Sequence, residues 1–251
     1  MKEDLTRLQR GFLKDTIRLT FDFSRTDQSR GVPPPPLEKP CPSDAQRVAL
    51  VPRDQWESVR NTDLLSAIGN RVSHRQFKGE PLTLEEVSFL LWATQGIRRR
   101  LGPGTALRTV PSAGCRHAFE TYLCALNVSD LDVGVYRYLP LEHQLVLESA
   151  EERLAERLVE GTLGQSFTGS ASATFVWTAI PYRMEWRYGP AAHRVIAMDA
   201  GHVCQNLYLA VEAIGAGTCA VAAYHQELMD RLIGVDGEDE FVIYLAPVGK
   251  V

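Results

Sequence analysis

The 251-residue sequence predicts an α+β fold, a mainly antiparallel central sheet flanked by helices with one long helix at its centre. Three observations predict it. Strand-like runs at 120–127, 134–139, 144–147, 174–180 and 241–248 do not alternate with helices as βαβ units would. Gly134–Leu139 and Gln144–Leu147 read as a hairpin joined by Pro-Leu-Glu-His. Between the last two strand runs lies a helical pattern from Pro190 to Ile214, with Gly201 the one helix-breaking residue in it.

That last stretch organises the rest. Pro190 after Gly189 is a helix start, and Gly215 and Gly217 end the pattern. From Val195 to Ile214 it is apolar on nearly every face, which predicts burial on nearly every face, inside a domain or along a subunit interface. Asp199, His202 and Asn206 form its one polar stripe, with His202 read as a core histidine. Thr218–Ala223 is a small-residue, strand-like run whose backbone faces any visitor, the place for a flat ligand.

In chain order, residues 1–19 pattern as an amphipathic helix, with Leu5, Leu8 and Phe12 on one side. Gly31–Pro42 is proline-rich and extended, either a flexible linker or an arm laid over a partner subunit. Residues 1–60 are read as an extension and 61–251 as the folded domain. A short helix covers 63–68. Thr83 and Glu86 make a capping box for a helix to Thr94, ended by Gly96. Ile97–Arg108 is basic and punctuated by Gly and Pro, hence a mobile loop. Helices follow at 151–160 and 226–233.

Composition narrows the function. A net charge of −4 without a long basic run argues against nucleic acid as partner. No apolar run is long enough for a membrane span, and MKEDLTRLQR lacks the apolar core of a signal peptide, so a cytoplasmic protein is expected. Five cysteines without a CxxC pair read as reduced thiols, and no metal site is expected.

Three short segments are candidates for chemistry. In Arg71-Val-Ser73-His-Arg75, residues two apart share a face of an extended chain, so two guanidinium groups and a hydroxyl converge. That set matches a phosphate and a neighbouring oxygen, or equally a surface salt-bridge cluster. Pro111-Ser112-Ala113-Gly114, with Arg116 beside it, admits close approach of a planar ligand or is an ordinary tight turn. Ala222-Ala223 either presents an outward N–H or is plain core strand.

Together, RVSHRQF, PSAGCRHAFETYL, DAGHVCQNLYLAVEAIGAGTCAVAAY and the terminal APVGK resemble the FMN-dependent nitroreductase superfamily. Within it, PSAG-x-R-H, the W-x-Y-G element at Trp186–Gly189 and LDVGVYRYLP resemble the SagB-type dehydrogenase branch, which includes the azoline oxidases. The resemblance spans Asn61 to Lys250. It implies a nitroreductase-like fold, a homodimer with FMN at the interface, and the long helix at that interface. It implies that Arg71 and Lys250 reach the FMN phosphate, that Ser73 lies beside it, and that Arg75 stands near flavin N1 and O2. Pro111, Ser112, Ala113 and Gly114, with Arg116, would pack along the flavin from the other subunit. Ala222 and Ala223 would meet flavin N5, and Gln165 would read the pyrimidine edge.

Two departures stand out. Val72 replaces the second arginine of the usual Arg-Arg-Ser, and Arg187-Tyr188 stands where azoline oxidases carry Lys-Tyr. Arginine stays protonated and is no general base. The implied activity is hydride transfer from NADH or NADPH through flavin to a small acceptor such as a quinone or nitro compound, with Arg187 and Tyr188 lining the reaction site. The alternatives are oxidation of a peptide-derived thiazoline or oxazoline, and a flavin-binding or interaction protein without turnover.

Overall fold

The computed structural model describes residues 2–251 and has the α+β architecture expected of the sequence. Seven strands form one antiparallel sheet: β1 (Arg47–Ala49), β4 (Phe119–Ala125), β5 (Gly134–Leu139), β6 (Gln144–Ser149), β7 (Ala173–Ala179), β8 (Ala216–Thr218) and β9 (Phe241–Lys250). Their spatial order is β1-β6-β5-β4-β7-β9-β8. β2 (Ile97–Gly102) and β3 (Thr105–Arg108) make a separate hairpin.

Strand alternation builds two cores. Leu123, Phe175, Trp177 and Ala179 point to one face, under α3 (Leu84–Gln95) and α7 (Ala192–Ala210). Tyr122, Cys124 and Val176 point to the other, under α4 (Leu154–Gly161) and α8 (Gln226–Ile233). Both faces are covered, so β4 and β7 are buried at every position. The capping box forms as read: Thr83 Oγ1 accepts from Glu86 N at 3.1 Å and Glu86 Oε2 accepts from Thr83 N at 3.0 Å.

The long helix is shorter than its pattern. Gly189–Ala191 is a tight 3-10 turn, α7 follows, and Val211–Ile214 tightens to 3-10 before Gly215 at φ 60°. Nor is it buried all round. Ala197, Met198, Gly201, His202 and Gln205 form an exposed stripe, so His202 is no core residue.

Other elements differ from the sequence reading for tertiary reasons. Residues 97–108 are not a mobile loop: Arg116 donates to Gly104 O at 2.8 Å and Thr105 Oγ1 at 2.6 Å, pinning the hairpin tip. α6 (Tyr182–Tyr188) occupies a stretch where no helix is read from the sequence, and α5 (Phe167–Ser170) is a single turn. β1 carries the sheet to residue 47, inside the segment read as an extension.

The proline-rich arm lies on its own chain. Leu37 O accepts from Arg108 at 2.7 Å, and Lys39 O and Pro40 O accept from Arg137 at 2.9 and 3.1 Å. Val32 O accepts from Trp186 Nε1 at 2.9 Å. Buried guanidinium groups need acceptors, and proline-flanked carbonyls supply them without competing donors. α1 (Lys2–Phe12) precedes the arm, and α2 (Leu64–Asn70) follows β1. Among the described residues no helix is long and apolar enough to cross a membrane.

Candidate active site

Residues 71–77 are extended and run parallel to β8, joined by the N–H of His74 donating to Thr218 O at 2.9 Å. Gly217 and Gly249 make this possible. A Cβ at Gly217 would come within 2.5 Å of the His74 ring, and one at Gly249 within 2.8 Å of the Phe77 ring. His74 and Phe77 are thus the inward anchors, and Arg71, Ser73 and Arg75 are left facing outward.

Tyr208, on α7, joins the first two. Its hydroxyl lies 2.9 Å from Ser73 Oγ and accepts from Ala220 N at 2.9 Å, and the Arg71 guanidinium rests 5.3 Å from its ring centroid. Arg75 rests 5.9 Å from the Phe167 ring. The strand-like run read at Thr218–Ala223 ends as strand at Thr218, with a single bridge at Val221, and Gln165 donates to Ala223 O at 2.8 Å, fixing the open segment where Ala222 and Ala223 are exposed. Among the described residues, neither the Ala222 nor the Ala223 N–H meets an acceptor, and no carboxylate pairs with Arg71 or Arg75. Two cations, a hydroxyl pair and two free amides along one rim therefore suit a planar ligand with a phosphate tail, and FMN fits that description.

A second group forms around the Pro111–Gly114 loop. Gly114, Cys115 and His117 all have positive φ, at 58°, 54° and 47°. Non-glycine residues there carry backbone strain of about 1–3 kcal/mol, which surrounding contacts must hold in place. Ser112 Oγ accepts from His117 N at 3.0 Å, and Asp199 Oδ2 accepts from Ala113 N at 3.3 Å. Burial pushes the Asp199 carboxyl above its ordinary range, against the pull of the Ser112 hydroxyl and the Ala113 N–H. Burial, reinforced by Arg108, drives His117 down to about 3, so it is a neutral structural residue at working pH. A Cβ on Gly114 would sit 2.6 Å from Tyr188 Oη and 2.8 Å from Arg187 Nε. Arg187 and Tyr188 therefore lie flush against this loop.

The two groups do not merge in one chain. Asp199 and Tyr208 are nine residues apart on α7, about 13 Å along the axis and on opposite flanks. Arg71, Ser73, Arg75, Gln165, Ala222 and Ala223 gather on one side, and Pro111–Gly114 with Arg187 and Tyr188 on the other.

Two expected ligands turn inward. Arg116 is buried, with its donors on Gly104 O, Thr105 Oγ1 and Gly114 O and its guanidinium 5.0 Å from the Trp186 ring. Lys250 pairs with Glu86 and donates to Ile214 O at 2.8 Å, capping the last turn after α7. Its ammonium is thereby engaged beneath the rim. The open amides of Ala222 and Ala223 accord with the outward N–H read there, whereas Tyr208 is not read from the sequence; its only signal is a polar tip in an apolar helix. Among the described residues no three His, Cys, Asp or Glu side chains converge as metal ligands would.

Comparison with known proteins gives one consistent result. The model of the nitroreductase family matches residues 68–250. The Methanocaldococcus jannaschii protein MJ1384, provisionally named a nitroreductase, is 31% identical over 196 residues, which is 78% of this chain and 95% of that one. A crystal structure from Ralstonia eutropha JMP134, with a similar provisional name, superposes with a TM-score of 0.67 at 27% identity, covering 87% of this chain and 98% of that one. The trifolitoxin-processing protein TfxB of Rhizobium leguminosarum bv. trifolii is 27% identical over 133 residues, 51% of this chain and 36% of its own.

Proposed function

This chain belongs to the nitroreductase family, and from that premise we propose that it is an FMN-dependent oxidoreductase working as a homodimer. FMN, when bound, supplies hydride acceptance from NADH or NADPH and donation to a small quinone or nitro acceptor. The observation that carries the reading is the rim itself: Arg71, Ser73 and two unengaged amides at Ala222 and Ala223 on one edge.

Each residue then has a physical task. Arg71 and Ser73 would hold the phosphate with charge-assisted hydrogen bonds. The Ala222 and Ala223 N–H groups would orient the reactive ring edge, and Gln165 fixes their segment. Arg75 would place a cation where negative charge gathers on the reduced ring. The small side chains of Pro111–Gly114 allow close stacking, and Arg187 and Tyr188 bound the space where reductant and acceptor alternate.

The second subunit follows from separation. One chain holds the two groups on opposite flanks of α7, offset by about 13 Å along its axis, and the α7 stripe between them is open. Met198 is 50% exposed on that stripe, and Leu65 of α2 is 83% exposed. An interface of the obligate class, above roughly 2,000 Å², would cover both and bring a partner's Pro111–Gly114 loop to the rim.

The test is direct. The purified protein is expected to be yellow, to hold FMN stoichiometrically, to run as a dimer by light scattering, and to oxidise NADH or NADPH with a quinone present. A colourless monomer would leave only an interaction role. The likeness to TfxB supports a second reading, oxidation of a peptide-derived azoline, which the Tyr188 substitution below separates from the first.

A further inference from the structure

The N-terminal extension reaches the second group of site residues. Phe21 fills the space above Gly189, where a Cβ would lie 2.7 Å from its ring. Gln28 N donates to Trp186 O at 2.8 Å and Tyr182 Oη to Asp27 Oδ2 at 2.8 Å. These contacts fix residues 15–28 against α6, and they set Arg18 over Tyr188, 5.9 Å from its ring centroid. Arg187 lies 5.5 Å from the same centroid.

Cations crowd this corner. Arg116 stands close enough to Arg187 that, after burial, the Arg187 charge is the next cause lowering its pKa. Arg194 and Arg18 share Asp15, at 3.3 and 2.6 Å. Arg187 has no carboxylate or hydrogen-bond acceptor among the described residues. Arg18 and Arg187 thus flank the Tyr188 ring, Arg18 with Arg194 on Asp15, while Glu185 on the same helix as Arg187 is taken up by His193. Like charges gathered beside a single ring repel, and an added anion relieves that repulsion. The Arg18 side chain remains 39% exposed, so its head can be reached.

Resting on the oxidoreductase reading above, we propose that Arg18 and Arg187 form an oxyanion subsite, and that the acceptor carries a carboxylate or similar group held there. Arg18 gives its Nε–H to Asp15 and keeps its terminal N–H groups, and Arg187 keeps all of its own, to grip an oxyanion beside Tyr188. The subsite adjoins Gly114, so the bound acceptor lies against the Pro111–Gly114 loop. The extension is therefore a part of the substrate site, and acceptor preference is written partly in residues 15–18.

Isothermal titration of FMN-loaded protein with 4-nitrobenzoate and with neutral 4-nitrobenzyl alcohol, without reductant, tests this. The acid is expected to bind more tightly than the alcohol. Arg18→Ala should weaken the acid about tenfold and Arg18→Lys should restore most of it. Asp15→Asn, which frees Arg18 and Arg194, should tighten the acid about two- to fivefold, a gain that misfolding cannot produce. Equal affinity for acid and alcohol, or no gain in Asp15→Asn, overturns the subsite. A fall in NADPH over NADH preference in Arg18→Ala, with 4-nitrobenzoate binding unchanged, would assign the anion to the reductant and also overturn it. Tight acid binding without any reduction would instead leave the subsite standing and count against the proposed activity.

Discussion

Two sets of arginines in this molecule do opposite work. Arg108, Arg116, Arg137 and Arg183 are buried, and apart from the unpartnered Arg108 Nε their donors are directed at Glu120, Glu148, Gln95, Thr105 and main-chain carbonyls. Burial pulls even Arg108 down to about 10. Arg71, Arg75 and Arg187 each rest on an aromatic ring, of Tyr208, Phe167 and Tyr188, and their N–H edges meet no acceptor among the described residues. A ring under a guanidinium holds its position by its face and leaves the donors free. The lesson is that oxygen acceptors, not rings, separate the two sets: Arg116 also lies over a ring, that of Trp186, yet carbonyls and a hydroxyl take its donors, whereas a ring alone leaves them open.

The comparison breaks first, and most heavily, at Glu120. It is 2% exposed and pairs with Arg183 and, at 3.8 Å, with Arg137. Glu120→Ala strands the buried Arg183, leaves Arg137 with Glu148 alone as carboxylate partner, and is expected to cost about 3–5 kcal/mol in denaturant unfolding. A loss under about 1 kcal/mol would mean the buried set is not structural. Arg71→Ala, from the other set, is expected to weaken FMN binding roughly 10- to 100-fold, by about 1.5–3 kcal/mol, while apo-protein melting stays put. An unchanged dissociation constant in fluorescence-quenching titration would make Arg71 a surface charge only.

Tyr188→Phe sharpens the site side of the contrast. A pocket hydroxyl lost should cost about tenfold or less in NAD(P)H-dependent quinone reduction, whereas an essential acid or base typically costs about 10²- to 10⁴-fold. A collapse of turnover with FMN still bound would favour the proton-abstracting azoline chemistry. The smallest effect is expected under the arm. Burial, assisted by Glu142 and Glu120, pushes the Glu38 carboxyl up to about 7. Between its ordinary range and that value the folded state holds a proton that the unfolded chain releases, so stability falls as pH rises through the window. Glu38→Gln should therefore raise the melting temperature at about pH 8 and change little at about pH 5. A rise of equal size at both would show that its charge is not the cause.

Much of the fold is legible in the residues because local signals agree with the final packing. Thr83 and Glu86 announce α3, Gln226–Ile233 appears as read, and the buried runs at 174–180 and 241–248 become β7 and β9. What escapes depends on distant partners. β1 is three residues whose strand character exists only beside β6. The 97–108 hairpin looks mobile until Arg116 and the arm pin its tip, with Pro34 set where a Cβ on Gly104 would fall. At the site, spacing places Arg71, Ser73 and Arg75 on one side. It gives no sign that Arg116 and Lys250, though cationic and inside motif-like segments, have inner acceptors waiting.

The arm has a further consequence during synthesis on the ribosome. Its residues emerge first, yet the groups that receive them come later. Leu37 waits 71 residues for Arg108, Val32 waits 154 for Trp186, and Lys39 waits 201 for Glu240. At about 5–20 residues per second the longest wait is about 10–40 s. Throughout it, four consecutive prolines, Pro33–Pro36, offer no N–H to any nascent strand or helix. The segment that must stay uncommitted longest is thus the one least able to pair prematurely, and it closes over the buried arginines as the last strand arrives.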